Sequence, residues 1–555
     1  MWSPDSSKLV THRLDQRRVG ELHLVQSAFV DGNSRPRLHS YRYALPGDED
    51  VPTAELAIFD VRTGARLDVD YPPLHCATFS PFQYDKVWWS DDGRYLYFMD
   101  QPRDFKALRL VEVDASSGAA RVVLEETSDR PVDANLYIFG RPNVWVLSSG
   151  EVVWFSERDG WGHLYLYDGV TGALKNRITD GEWVVREIVH VDESERTILF
   201  TAGGREPGRN PYYRHLYRAS LDGSEPVLLT PEDAEHEVCV SPDGHRIADV
   251  YSRVDLTPRA VLRDSEGRLV REFESADLSA LEAAGWTAPE SFSVTGADGE
   301  PTIHGVMYLP SDFDPCSTYA VIDSIYPGPQ HHRSRQSFAA ALADSARALA
   351  EVGFIVVTMD GRGTPLRSRA FLDASYGRLE TAGGLIDHAA VLRSLASERP
   401  YMDIERVGIY GHSAGGYATV RAMLTYPDLY KAGVASAGNH DQRINVALWG
   451  ERYIGMPQET DYEPQANANF AEKLEGRLLL AYADMDDNVH PAGIVRLVDA
   501  LTKANKDFEL LLLPNRNHDY ADDPYLTRRR WDFFVRHLMG ERPPEGYEVA
   551  GPSAE

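Results

Sequence analysis

The stretch that most constrains this chain is Val407-Gly-Ile-Tyr-Gly-His-Ser-Ala-Gly-Gly-Tyr-Ala-Thr-Val-Arg-Ala-Met-Leu424. An apolar run stops at Gly411-His412-Ser413-Ala414-Gly415, and a helix-compatible segment follows at once. That is the nucleophile-elbow pattern: strand, tight turn, helix, with a serine at the apex. Residues flanking the serine must be small because strand and helix pass close together, a need met by Gly411, Gly415 and Gly416. The helix then leaves the Ala414 N–H free to face a developing oxyanion. G-x-S-x-G alone is a weak signal, arising by chance roughly one time in five in a chain of this length. The plain alternative is a glycine-rich turn. The flanking strand and helix, and acid and base candidates further on in the right order, favour the elbow.

At 555 residues the chain exceeds what one hydrophobic core supports, so two or more domains are expected. Its 28 tyrosines and 10 tryptophans fit abundant β-structure or a recognition cleft. The formal charge of -28 repels phosphate backbones and anionic lipid, which argues against nucleic-acid and membrane partners. Cys76, Cys239 and Cys316 are odd in number and far apart, which disfavours a disulfide framework and a structural zinc site. There is no apolar run of membrane-spanning length and no leader-like N-terminus, so a cytoplasmic location is expected for the sequence as written.

The first half repeats a β pattern. Glu55–Gly64, Ala107–Gly118, His163–Gly172 and His215–Gly223 each read as strand and turn, with turn glycines at 64, 118, 172 and 223, spaced by 54, 54 and 51 residues. A second mark alternates with the first: Trp2-Ser-Pro-Asp5, Trp89-Ser-Asp-Asp-Gly93 and Ser241-Pro-Asp-Gly244. Repeats of this length, about four short strands each, predict β-propeller blades rather than a β-sandwich, whose turns rarely recur at constant distance. Five or six blades are expected over 1–276. Because residue 1 falls inside a blade motif, further blades are expected upstream of it.

The period changes near Ala276. Asp277–Trp286 reads as a short helix or linker within 277–289. A hairpin follows (Glu290–Thr295, turn 296–299, Ile303–Leu309), and then strands and helices alternate. Strands are expected at Ala320–Tyr326, Phe354–Met359, Val407–Tyr410, Arg477–Tyr482 and Phe508–Leu513. Helices are expected at Phe338–Val352, Thr381–Glu398 and Arg528–Leu538. Such alternation predicts a mostly parallel sheet wrapped by helices, and the elbow within it predicts an α/β-hydrolase domain over 290–545, with a tail at 546–555. That fold needs an acid and then a base on loops after later strands. Asp484, Asp486 and Asp487 follow one strand and His518 follows the last. His518 is the expected base, while spacing leaves the three aspartates open. No histidine pair has metalloprotease spacing, so neither metal nor cofactor is expected.

With Gly411-His-Ser-Ala-Gly-Gly-Tyr417, Tyr326-Pro-Gly-Pro329, Asp360-Gly-Arg-Gly363 and Asp486-Asp-Asn-Val-His490, the chain resembles the prolyl oligopeptidase family of serine peptidases, most of all its dipeptidyl peptidase IV branch. The likeness spans nearly the whole chain and is most specific over 290–540. It implies a triad of Ser413, Asp486 and His518, with oxyanion donors from the Tyr326 hydroxyl and the Ala414 N–H. It also implies substrate contacts from Asn488, Val489, Trp449, Tyr453 and Glu451, and short peptides as substrates. A homodimer through the hydrolase domain is a further expectation. In that branch a glutamate pair binding the substrate amine lies just upstream of a segment like Trp2-Ser-Pro-Asp5, hence ahead of residue 1 here. Ala414 replaces a tyrosine of the proline pocket, and Asn439–Gly450 keeps only Trp449 of its aromatic wall. Broader aminopeptidase or oligopeptidase specificity is therefore expected as readily as strict post-proline cleavage. The rival readings are an acylaminoacyl-peptidase or esterase on the same fold and a non-catalytic propeller scaffold. Tyr326-Pro-Gly-Pro in place of an HGGG loop weighs against the esterase.

Overall fold

The computed structural model describes residues 1–28, 34–75, 80–381 and 383–550. Cys76, Ala382 and the last five residues of the expected tail lie outside them, and Cys239 and Cys316 are free thiols. Among the described residues, five four-stranded antiparallel sheets follow one another from Lys8 to Ser275, the lower of the two expected blade counts. The recurring turns explain why they form. Asp60, Asp114, Asp168 and Asp264 each end a strand and accept, through Oδ1, a backbone N–H from the turn that follows. Gly64, Gly118, Gly172 and Gly267 close those turns at positive φ, where a side chain would be strained. The alternate marks are equally regular. The Ser3, Ser90 and Ser241 hydroxyls donate to Asp5, Asp92 and Asp243 at 2.6–2.7 Å. The same hydroxyls accept the N–H of Lys8, Tyr95 and Arg246, which open the next strands, at 2.9–3.0 Å.

The first sheet is interrupted. Between Lys8–Asp15 and Thr53–Asp60 the chain leaves as a two-stranded arm, Glu21–Gln26 paired with Arg37–Arg42. No periodicity in the sequence announces it.

After a short helix at Ser279–Ala283, the second unit is one eight-stranded sheet. Its strands are β1 (Glu290–Thr295), β2 (Thr302–Tyr308), β3 (Tyr319–Ser324), β4 (Ile355–Met359), β5 (Met402–His412), β6 (Tyr430–Ser436), β7 (Arg477–Ala483) and β8 (Glu509–Leu513). The order is β1-β2-β4-β3-β5-β6-β7-β8, antiparallel through β2/β4 and parallel beyond. All five residues of β4 are buried, as expected where helices cover both faces. Three expected helices differ. That expected over Thr381–Glu398 starts later, at Leu385. Phe338–Val352 is two short helices, Phe338–Leu342 and Ser345–Ala350, because the Asp344 carboxylate caps the second by accepting the Ala346 N–H. The closing helix starts earlier, at Pro524, and ends in a wide turn over Val535–Met539. The parallel strands all end at one edge, where the loops form a cleft of about 1400 Å³ against the propeller.

Candidate active site

Ser413 sits between β5 and helix α1 (Ala414–Thr425) at φ 58°, ψ −120°. Close packing enforces that backbone. A Cβ on Gly411 would lie 2.5 Å from the Gly415 carbonyl, and one on Gly415 2.3 Å from the Ile325 oxygen. The Ser413 N–H donates to the Ser436 carbonyl of β6 at 2.9 Å, locking the turn to the neighbouring strand.

His518 lies beyond β8, with Nε2 3.0 Å from Ser413 Oγ and Nδ1 2.8 Å from Asp486 Oδ2. The three aspartates left open by spacing divide cleanly. Asp486 is buried and its other oxygen accepts the N–H groups of Asn488 (3.0 Å) and Val489 (2.8 Å). Asp484 accepts the Asn515 N–H at 2.6 Å, and Asp487 is exposed at the cleft. His412 braces the base from behind. Its ring spans the Ser436 hydroxyl and the His518 carbonyl, both at 2.9 Å, and burial pulls its pKa down to about 3, so it stays neutral.

Tyr326 and Ala414 line the cleft beside Ser413. Burial pushes the Tyr326 phenol up, while hydrogen bonding from Ser413 and Gln330 draws it back. Gln330 Nε2 lies 3.3 Å from the phenol oxygen, a partner sequence reasoning missed. Asn488, Val489, Trp449 and Tyr453 also line the cleft, the last two from helix α2 (Ala447–Ile454).

Glu451 departs from expectation and is not a cleft residue. Its side chain is 1% exposed. Arg103 of the propeller grips it in a bidentate pair at 2.6 and 2.7 Å, and the Gly47 N–H adds a third bond at 2.8 Å. Next to it, Arg452 pairs with Asp133 of the propeller. The charges of this helix are spent on holding it against the propeller, which presents Trp449 and Tyr453 to the cleft.

Glu232, His236 and Asp249 of the last blade come close enough together to suit a cation. The cation is already there: Arg263 donates to Asp249 at 2.9 Å and to Glu232 at 2.6 Å, while His236 spans Asp249 and the Glu232 carbonyl. Among the described residues no helix is long and apolar enough to cross a membrane.

A serine elbow, a histidine and a buried aspartate on an α/β-hydrolase sheet, facing a β-propeller across a cleft, define a class of two-domain serine hydrolases. Comparison with known proteins narrows it. Residues 1–258 match the dipeptidyl peptidase IV N-terminal region, and residues 341–541 match the prolyl oligopeptidase family. The chain is similar to dipeptidyl peptidase 8 of Mus musculus, 28% identical over 462 residues covering 74% of this chain and 50% of the relative. Its Homo sapiens counterpart is also 28% identical, over 461 residues covering 74% of this chain and 49% of that protein. The chain thus spans about half the length of these curated relatives. Among solved structures, Porphyromonas gingivalis dipeptidyl peptidase 4 superposes with a TM-score of 0.81 at 24% identity, over 97% of this chain and 74% of that one, which shows a shared fold. The chain belongs to the prolyl oligopeptidase family, in its dipeptidyl peptidase IV-like branch.

Proposed function

We propose that this chain is a serine peptidase that hydrolyses short peptides through an acyl-enzyme on Ser413, of the dipeptidyl or oligopeptidyl type. The observation that carries the reading is the continuous contact Ser413 Oγ–His518 Nε2 and His518 Nδ1–Asp486 Oδ2 at 3.0 and 2.8 Å. In this reading His518 takes the Ser413 proton as Oγ attacks the peptide carbonyl, then returns it to the leaving amine. Asp486 holds the tautomer that leaves Nε2 free to accept. Tyr326 and the Ala414 N–H receive the oxyanion, and the cleft walls, Asn488, Val489, Trp449 and Tyr453 among them, hold the peptide. The working division is a propeller over 1–276, a linker over 277–289 and a catalytic unit over 290–545. The named activities of the relatives and their share of the family support a peptidase over an esterase.

The test is Ser413→Ala together with fluorophosphonate labelling. Because triad members act as a unit, the variant should lose on the order of 10⁵–10⁶ in kcat while keeping its melting temperature. The wild-type chain should be labelled at Ser413 alone. Retention of more than about a tenth of the activity, only ~1.4 kcal/mol, refutes the assignment.

A further inference from the structure

One set of contacts between the two units lies outside the triad itself. Where the two-stranded arm rejoins the first propeller sheet, residues Tyr43 to Asp48 run along the hydrolase unit and bond to both sides of its cleft. On one side the Tyr43 hydroxyl donates to the Asn488 carbonyl at 2.6 Å. On the other, the Ala44 carbonyl accepts the Ala447 N–H at 2.8 Å at the start of α2, and the Gly47 N–H donates to Glu451 in its second half. Tyr43 is 8% exposed and packs edge-on against Tyr41, with ring centroids 5.7 Å apart. Burial raises its phenol well above the ordinary value, so the hydroxyl remains a donor at any working pH.

The Asn488 carbonyl belongs to the same peptide group as the Val489 N–H. That N–H donates to Asp486 Oδ1 at 2.8 Å, and Asp486 Oδ2 receives His518 Nδ1 at 2.8 Å. Hydrogen bonds therefore run without a break from a propeller phenol, through one peptide plane, to the carboxylate and the imidazole. A donor on the carbonyl side of a peptide polarises it, strengthens its N–H as a donor, and fixes the plane. The Asp486 carboxylate cannot tilt without tilting that plane. We infer that Tyr43 is a positioning residue for the reaction, setting the orientation of the Asp486 carboxylate, and through it the His518 ring, from the propeller side. The inference rests on the triad reading, and it makes the reaction rate depend on how the propeller is seated.

The experiment compares Tyr43→Phe with wild type in the full chain. A control, Lys106→Met, removes a different propeller–hydrolase contact, the exposed Lys106–Glu459 pair at 2.8 Å, which leads nowhere near the acid turn. Tyr43→Phe should lower kcat and the rate of fluorophosphonate labelling together by about tenfold, or ~1.4 kcal/mol, with KM changed less than about twofold. The acid limb of kcat/KM should move to higher pH, because Asp486 loses part of its hydrogen bonding and becomes more basic toward the imidazolium. Lys106→Met should leave all of these unchanged. If Tyr43→Phe is too unstable to assay, 3-fluorotyrosine at position 43, a stronger donor, should shift the acid limb to lower pH. Labelling and kcat within about twofold of wild type, with an unmoved pH profile, would overturn the inference alone. A wild-type chain whose serine is not labelled at all would bring down the triad reading and this inference with it.

Discussion

The two walls of the cleft are held by opposite means. On the hydrolase wall, placement is local. Ser413 is fixed by backbone contacts with Gly411, Gly415 and Ser436, and Asp486 by the N–H groups two and three residues on. On the propeller side, placement is long-range. Helix α2 is held by Arg103 on Glu451 and Asp133 on Arg452, partners more than 300 residues apart in sequence. Local geometry tolerates no substitution and, apart from the Tyr43 hydroxyl on the Asn488 carbonyl, takes little from how the domains sit. Ion-paired placement tolerates change but transmits it. The chemistry should therefore be brittle at the first wall and substrate binding adjustable at the second.

The sharpest way to break this contrast is at the acid turn. Asp486→Asn should cost about 10⁴ in kcat, because the amide cannot hold the required histidine tautomer. Asp484→Asn and Asp487→Asn should cost less than about tenfold, since neither carboxylate bonds to His518 among the described residues. Equal losses at all three positions in steady-state assays would mean that the turn acts through its total charge.

Tyr326→Phe should come next. Loss of one oxyanion donor typically costs about 10²–10³ in kcat, with KM little changed. A change confined to KM would move Tyr326 from the reacting centre to the binding surface.

The contrast also explains what the sequence made legible. The elbow, the serine–acid–base order and the propeller turns are all local: Asp-x-x-x-Gly and Ser-x-Asp work through bonds within five residues, so a single chain displays them. Among the three aspartates only the family resemblance singled out Asp486, because the path of the loop decides which carboxylate meets His518. Glu451 misled because a carboxylate buried against an arginine of the propeller reads, in a single sequence, the same as one that faces the cleft. The break at Asp344 was hidden inside an amphipathic pattern. It exists because the same carboxylate also receives Arg333 and Arg335 from another segment. The segment Tyr43 to Asp48 has no signature of its own, since its partners on the hydrolase unit lie some 400 residues away.

The adjustable wall is tested through Glu451→Gln, which removes the charge while keeping one oxygen for the Gly47 N–H or Arg103. Loosening α2 should raise KM by about fivefold to tenfold, ~1 kcal/mol, with kcat within about threefold, as expected when uniform binding is lost. Free-amine and acetylated peptides should be affected alike. A KM increase limited to free-amine substrates would return Glu451 to the substrate contacts, as a partner of the amine, and contradict its burial under Arg103.

The last expected effect, on stability and not on rate, lies further along the same domain interface and reads its pH dependence. Glu157 of the propeller has a side chain 7% exposed and meets Arg369 of the hydrolase at 3.0 Å, with one carboxyl oxygen unpaired among the described residues. Desolvation is the largest influence and raises its pKa from 4.5 to about 7. Arg369 pulls the other way, Asp133 reinforces the rise, and Asp373, which takes the Arg369 Nε at 2.9 Å, adds to it. The folded state thus binds the Glu157 proton more tightly than the unfolded chain does. The resulting stability is fully present below about pH 4.5 and declines as the pH rises through about 7, by at most about 3–4 kcal/mol. Glu157→Gln keeps the shape, removes the titration, and leaves Arg369 with Asp373. Its melting temperature should equal that of wild type near pH 5 and exceed it by a few degrees at pH 8, roughly what ~2 kcal/mol produces in a chain of this size. Parallel melting curves across that range would show that Arg369 neutralises Glu157 in full and that the propeller–hydrolase interface carries no pH dependence at this pair.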